Sequence, residues 1–262
     1  MRWPRIYLVA LVTLAALCMS GGPAAAERIV ASVSNHRVRI TSSFTGLELV
    51  LFGSVERDGT SVPRRSGYDI VVTVTGPRET VVTRRKERVA GIFVNVESRS
   101  FVDVPSYLAV LATKPIDAIA GPDTARRLRL GLADTLLPQQ IGTDVADVVR
   151  EDPFRVAFIR LKSDRNLYLE APNAVTFLTP TLYRTTIPLP AEVPVGDYDV
   201  DVKLFADNTM IARTSSAFEI IKVGFEQFVA SAARDYSLLY GLSTAAMALM
   251  TGWFASIVFR RD

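Results

Sequence analysis

Through residues 28–113 the hydrophobic and polar positions follow a period of two. Val38 and Ile40 alternate with Arg39 and Thr41, as they do when a β-strand sends successive side chains to opposite faces. The run 46–55 (GLELVLFGSV) is mostly apolar. The run 68–75 (YDIVVTVT) is rich in β-branched residues and is punctuated by Gly76-Pro77. Runs 80–83, 91–96 and 107–113 complete this set. Short β-branched runs separated by Gly/Pro turns predict a sandwich or barrel rather than a parallel sheet wrapped by helices.

The period then changes. Ala125, Leu128, Leu132 and Leu136 recur at helical spacing after Pro122, with Arg126, Arg127 and Arg129 between them. Thr143 is placed to cap a helix carrying Val145, Val148 and Val149. Asp152-Pro153 is a helix start with proline at the first position, and Phe154, Ala157, Phe158 and Leu161 follow at i, i+3, i+4 and i+7. Two or three helices are expected here. Strand patterns return at 167–169, 175–178, 182–189, 198–205 and 210–220. The segment 68–84 echoes 198–213 as a strand, a turn and a second strand. The expected fold is mainly β, with immunoglobulin-like β-sandwich halves flanking a helical insertion and a transmembrane helix after them. The expected divisions are an N-terminal β region 27–114, the insertion 115–165 and a C-terminal β region 166–222. A juxtamembrane amphipathic helix at 223–236 (Phe225, Phe228, Val229, Ala232), a span at 237–259 and a tail at 260–262 follow.

The two ends supply the topology. Residues 236–259 contain no charge, and a helix of that length, about 36 Å, crosses a hydrocarbon core of about 30 Å. At the other end Arg2 and Arg5 precede the apolar stretch 6–19, and Ala24-Ala25-Ala26 precede Glu27. That is the pattern of a signal peptide, 1–26, cleaved after Ala26. Cleavage removes Cys18, the only cysteine, and with it every disulfide, thiol nucleophile or thiolate–metal site. Arg260 and Arg261 then mark the cytoplasmic side, with Tyr236 and Tyr240 at the outer interface and Trp253 toward the inner one. Without Arg2, Arg5, Arg260, Arg261 and Asp262, residues 27–259 hold 26 basic and 26 acidic residues. The charge excess belongs to the topogenic ends, so nucleic acid is not expected as a partner.

Candidate chemistry is sparse. His36 is the only histidine, which excludes a histidine zinc site and leaves it the sole base for a serine triad, beside Asn35 at an exposed turn. Asp197, Asp199, Asp201 and Lys203 share one face of a strand and Tyr198, Val200 and Val202 the other, so the acids read as a solvated face rather than a calcium loop. Arg64-Arg65 and Arg84-Arg85-Lys86-Glu87-Arg88 are basic clusters that suit anionic headgroups, an acidic partner or plain solvent. Glu151-Asp152 reads as helix capping. No catalytic residue, metal ligand or cofactor is expected. In the span, Thr244, Ala248, Gly252 and Ser256 fall four apart on one face, small enough for close approach of another helix.

The motif 38–46 (VRITSSFTG) leading into Leu51-Phe52-Gly53, the motif 194–198 (PVGDY), and the lone C-terminal span ending in Arg-Arg together give a resemblance. The chain resembles the alphaproteobacterial putative transmembrane protein family over nearly its whole mature length. The resemblance implies a bacterial source, hence an inner-membrane location with the N-terminal domain in the periplasm. It assigns no activity and no functional residue, and it associates the family with anion exporters of the sulfite or sulfonate type. The leading expectation is a non-catalytic, single-pass accessory or interaction subunit of an inner-membrane complex such as an anion transporter. Its partners would be the bilayer and a membrane protein or a second copy. The alternative is a periplasmic solute-sensing or solute-binding module whose ligand sits between sandwich and insertion; a hydrolase is a remote third. A polar pocket with converging Arg and Asp side chains favours the solute module, and a flat apolar patch near the membrane favours the interaction subunit.

Overall fold

A computed structural model describes residues 27–56, 67–141, 144–147, 149–224, 229 and 233–258. The signal segment with Cys18, the pair Arg64-Arg65, Thr143, Val148, Phe225, Phe228, Arg260 and Arg261 lie outside these residues.

The strands form three sheets. One contains β1 (Arg28–Val33), β3 (Gly46–Glu56), β12 (Leu182–Pro190) and β11 (Val175–Phe177), in the order β1-β3-β12-β11. The largest contains β2 (Arg37–Ile40), β4 (Asp69–Thr75), β7 (Leu108–Ala112), β10 (Tyr168–Ala171), β13 (Gly196–Ala206) and β14 (Thr209–Lys222), in the order β10-β7-β4-β13-β14-β2. The third contains β5 (Arg78–Val89), β6 (Ile92–Pro105), β8 (Pro138–Ile141) and β9 (Asp144–Asp147). The mainly β expectation holds. The first two sheets each draw strands from both β regions, so these regions interleave instead of standing as separate halves. β3 pairs with β12 from Leu182↔Ser54 to Pro190↔Gly46, and β4 lies between β7 and β13.

Alternation explains the core. Leu49, Leu51 and Val55 of β3 and Tyr183, Ile187 and Leu189 of β12 meet Ile70, Val72 and Val74 of β4 and Tyr198, Val200 and Val202 of β13 in one buried cluster. Four tyrosines cross this core and satisfy their hydroxyls on main-chain carbonyls. Tyr107, Tyr168, Tyr183 and Tyr198 donate to Pro188 O (2.6 Å), Pro105 O (2.7 Å), Val30 O (3.1 Å) and Pro194 O (2.6 Å). Burial pushes all four phenols well above their ordinary range.

Tyr183 also explains Gly53. A Cβ at position 53 would lie 2.2 Å from Val30 O and 2.3 Å from the Tyr183 hydroxyl. Gly53→Ala is therefore expected to destabilise the fold by about 1–3 kcal/mol through overpacking. Chemical denaturation of the full chain followed by tyrosine fluorescence checks this, and an unchanged midpoint would refute the close-approach account.

Two expectations are corrected. Of the supposed repeated hairpins, only β13–β14 is one. β4 pairs with β7 and β13, whereas β5 pairs with β6. Gly76-Pro77 carries the chain onward instead of folding it back. Gly76 N–H donates to Tyr107 O (2.9 Å) and Ser106 N–H to Pro77 O (2.8 Å), so β4–β5 runs beside β6–β7 as one long ladder.

The insertion is also not wholly helical. It holds α1 (Ile116–Ile119), α2 (Pro122–Leu128) and α3 (Pro153–Asp164), but β8 and β9 form a hairpin where a capped helix was expected. The open edge of β6 at Ser100 and Phe101 accepts β8 there, a non-local pairing that outweighs the local helical spacing. α2 ends at Leu128 because Arg129 is left-handed (φ 52°), so Leu132 falls in a 3₁₀ turn and Leu136 outside any helix. Asp152 caps α3 as expected, accepting from Arg155 N–H at 2.8 Å. Leu161 is half exposed because α3 turns Phe158 onto Phe101 (ring centroids 4.4 Å apart) and reaches Lys162 to Glu79 (2.5 Å). The last element, α4 (Ser237–Val258), is an apolar helix with no buried residue.

Candidate functional site

The outer face of the six-stranded sheet is divided along its length. Val71, Val110, Ala112 and Phe205 form a second apolar cluster beneath Ile116, Ile119, Ala120, Ala125 and Leu130 of the insertion. Beyond this roof the same face turns polar. Thr73 pairs across the ladder with Asp201, Thr75 with Asp199 and Lys203 with Arg213. The edge of the roof, at Arg127–Arg129 and Thr135-Leu136, stands over these rows and closes a cleft of about 430 Å³. That volume is within the usual range for a small-molecule site.

The cleft is cationic. Arg78, Arg127, Arg129, Lys203 and Arg213 line it, against Asp199 and Asp201. Residues 27–259 carry equal numbers of acids and bases, yet an excess of three positive charges is gathered in one concavity. Lys203 and Arg213 stand directly opposite each other on neighbouring strands, an arrangement that like charges disfavour. Asp201 is placed between them. It accepts from Arg213 Nε at 2.5 Å and from Lys203 Nζ, and Lys203 is itself buried. Arg78 reaches away to Asp103, donating to its main-chain oxygen at 2.7 Å. Arg127 and Arg129 are exposed and have no acidic partner among the described residues, although Asp123 and Asp199 are near in sequence or in the cleft. Thr73 Oγ1 is buried and makes no hydrogen bond. Guanidinium groups without an acidic partner among the described residues, lining one cavity, are donors suited to an oxyanion.

Behind the roof a buried arginine holds the wall. Arg155 of α3 donates to Asp147 Oδ1 (2.7 Å), Ala133 O (3.2 Å) and Thr135 O (2.5 Å), which ties the strand β9 and the loop ahead of β8 to α3. Nothing in the periodicity marks Arg155 or Lys203 as site residues. The one available signal is a basic residue on the flank of an apolar stripe in each case.

The residues singled out in the sequence are dispersed. His36 is exposed between β1 and β2, and its carbonyl accepts from Glu219 N–H at 2.8 Å. Tyr198, Val200 and Val202 face the core, while Asp197 and Asp199 face out as alternation requires. That acidic face was expected to be simply solvated. Its Asp201–Lys203 end instead floors the cleft, because the insertion folds over it. Asp152 serves as a cap and also accepts from Gln139 Nε2 (2.9 Å). Among the described residues no group of three or more His, Cys, Asp or Glu side chains is placed to hold a metal ion. Thr244, Ala248, Gly252 and Ser256 are all exposed along α4, and Thr244 Oγ1 donates within its own helix to Tyr240 O at 2.6 Å.

An exposed apolar helix of 22 residues, about 33 Å long, follows a folded domain that does not cover it. Over residues 28–261 the chain matches the family described as "Putative transmembrane protein (Alph_Pro_TM)". The chain belongs to that family. It is accordingly a membrane protein with one candidate span at its C-terminal end, and the match takes in the sandwich, the insertion and the span together. No curated protein matches the chain.

Proposed function

We propose that this family member is a membrane-anchored, non-catalytic module that binds a small oxyanion in the cleft between sandwich and insertion. The observation that carries the reading is the cleft itself, with five cations, two acids and two guanidinium groups without an acidic partner among the described residues. The signal pattern of residues 1–26 and the positive tail support presentation of this cleft in the periplasm of a bacterial inner membrane. The test is calorimetric titration of the full-length protein in detergent with phosphate, sulfate and a small carboxylate. Saturable binding of at least one of them, lost in Lys203→Met, is the expected result. Absence of binding to all three, or equal binding by the variant, would sink the reading.

The accessory role is a second reading and rests on α4 alone. Its small residues Thr244, Ala248, Gly252 and Ser256 leave one helix face shallow, and a Cβ added at Gly252 meets nothing within 4 Å. On this reading Gly252→Leu lowers recovery of a crosslinked membrane partner, or of a second copy, from native membranes. Leu249→Ile, off the stripe, is the control. Equal recovery from both would reduce α4 to a tether.

A further inference from the structure

The β5–β6 ladder continues far past its last neighbour. It runs from Arg78↔Pro105 to Val89↔Ile92, while β8 pairs with β6 only at Ser100 and Phe101. From Thr83↔Arg99 outward each strand has only the other as a partner among the described residues. A two-stranded ribbon with no third layer is marginal in water, and this one ends in an apolar tip. Ile92 is 66% exposed, Phe93 73% and Val89 51%.

The ribbon behind the tip is basic. Arg85 is engaged by Glu87 (3.1 Å) and Glu97 (3.5 Å). Arg84, Lys86 and Arg88 have no acidic partner among the described residues and alternate onto one face of β5, with Phe93 directly opposite Arg88. These three cations, Arg88 also donating to Gly91 O at 3.4 Å, beside an exposed aromatic and two aliphatic tips match the two layers of a membrane interface, where stems and rings enter and charges stay at the phosphates.

Connectivity places the arm's root on the membrane side. β13 is antiparallel to both β4 and β14, so β4 and β14 run toward the same end of the sheet. β4 passes there into β5, and β14 runs out there at Lys222 toward α4. Only residues 223–236 separate β14 from α4, a reach of at most about 50 Å when fully extended.

We infer that the tip of the β5–β6 arm contacts the anionic leaflet of the bilayer in which α4 is anchored. Val89, Ile92 and Phe93 enter the interfacial layer, and Arg84, Lys86 and Arg88 lie among the lipid phosphates. The cleft proposal is independent of this contact.

The test uses the full chain carrying Phe93→Trp, reconstituted into nanodiscs of brominated phosphatidylglycerol and phosphatidylcholine or of brominated phosphatidylcholine alone. The parent protein, measured in parallel, supplies the background of Trp253. In the anionic discs the position-93 emission is expected to shift to the blue and fall roughly twofold, as for an interfacial indole. Adding Arg84→Glu, Lys86→Glu and Arg88→Glu is expected to abolish both effects. Hydrogen exchange of 84–95 in the unaltered protein provides a second measurement, with slower exchange expected in anionic discs than in detergent. Unquenched, solvent-like emission in anionic discs would overturn the inference, as would equal quenching in the neutral discs or in the charge-reversed variant. Protection of 84–95 only in native membranes, and never in lipid discs, would also overturn it and assign the arm to a protein.

Discussion

Arg127→Ala/Arg129→Ala is expected to weaken oxyanion binding by about tenfold to a hundredfold while leaving thermal unfolding unchanged. A hydrogen bond to a charged group contributes about 1.5–3 kcal/mol, and each 1.4 kcal/mol is about a factor of ten in affinity. Both side chains are exposed and neither is paired among the described residues, so the cost to folding is within about 0.5 kcal/mol. Alanine keeps a Cβ at the left-handed Arg129, so the backbone strain there is not altered. Lys203→Met differs in kind. It removes a buried cation and leaves Asp201 with Arg213 as its remaining partner, which lowers the positive potential of the floor as well as one contact. Raising the salt concentration should weaken binding by the parent more than by the double variant, because the surface cations of the roof are screened most. Calorimetry at two ionic strengths reads all three effects. A double variant that binds like the parent would place any ligand elsewhere.

Arg155→Ala is expected to be the most damaging single change outside the sandwich core, at about 1–3 kcal/mol, because it takes the donor from part-buried carbonyl acceptors. The Arg155 side chain is 3% exposed, and its loss leaves the carbonyls of Ala133 and Thr135 without this donor, while Asp147 keeps Leu137 N–H at 3.2 Å and solvent. Arg155→Lys should recover little, since an ammonium does not reproduce the planar fork that reaches three acceptors. The loop carrying Thr135 and Leu136 forms part of the cleft wall, so the two variants should also lose oxyanion affinity although Arg155 does not line the cavity. Denaturation midpoints and hydrogen exchange across 129–141 measure the effect. Normal stability with fast exchange confined elsewhere would show that the insertion is held by its apolar underside alone.

Much of this architecture is legible from local pattern. Period-two alternation identifies the strands and assigns Tyr198, Val200 and Val202 to the core, because side-chain direction along a strand is a property of the backbone itself. Asp152-Pro153 announces the start of α3 for a similar reason, since capping chemistry is settled within one turn. Length and absence of charge identify α4. These are interactions within a few residues, and one segment contains everything needed to evaluate them.

Sheet neighbours are of another kind. Gly76-Pro77 looks like a hairpin turn, yet β4 finds β7 and β13 on its two sides, because pairing is decided by which edges and apolar faces meet in three dimensions. The same holds for 144–147, where the open edge of β6 brings in the β8–β9 hairpin against a helical spacing.

The cleft depends most on the tertiary structure. Its cations come from positions 78, 127, 129, 203 and 213, and no spacing rule links them. The sequence by itself determined the strands on either side of the insertion, the apolar C-terminal helix, the balanced charge of residues 27–259 and the shared face of Asp199, Asp201 and Lys203. Only the tertiary structure decided that the two β regions interleave, and that the insertion packs on Val71, Val110 and Phe205 and so roofs that face. Periodicity records which way a side chain points relative to its own backbone, whereas a binding site depends on what the rest of the chain brings opposite it.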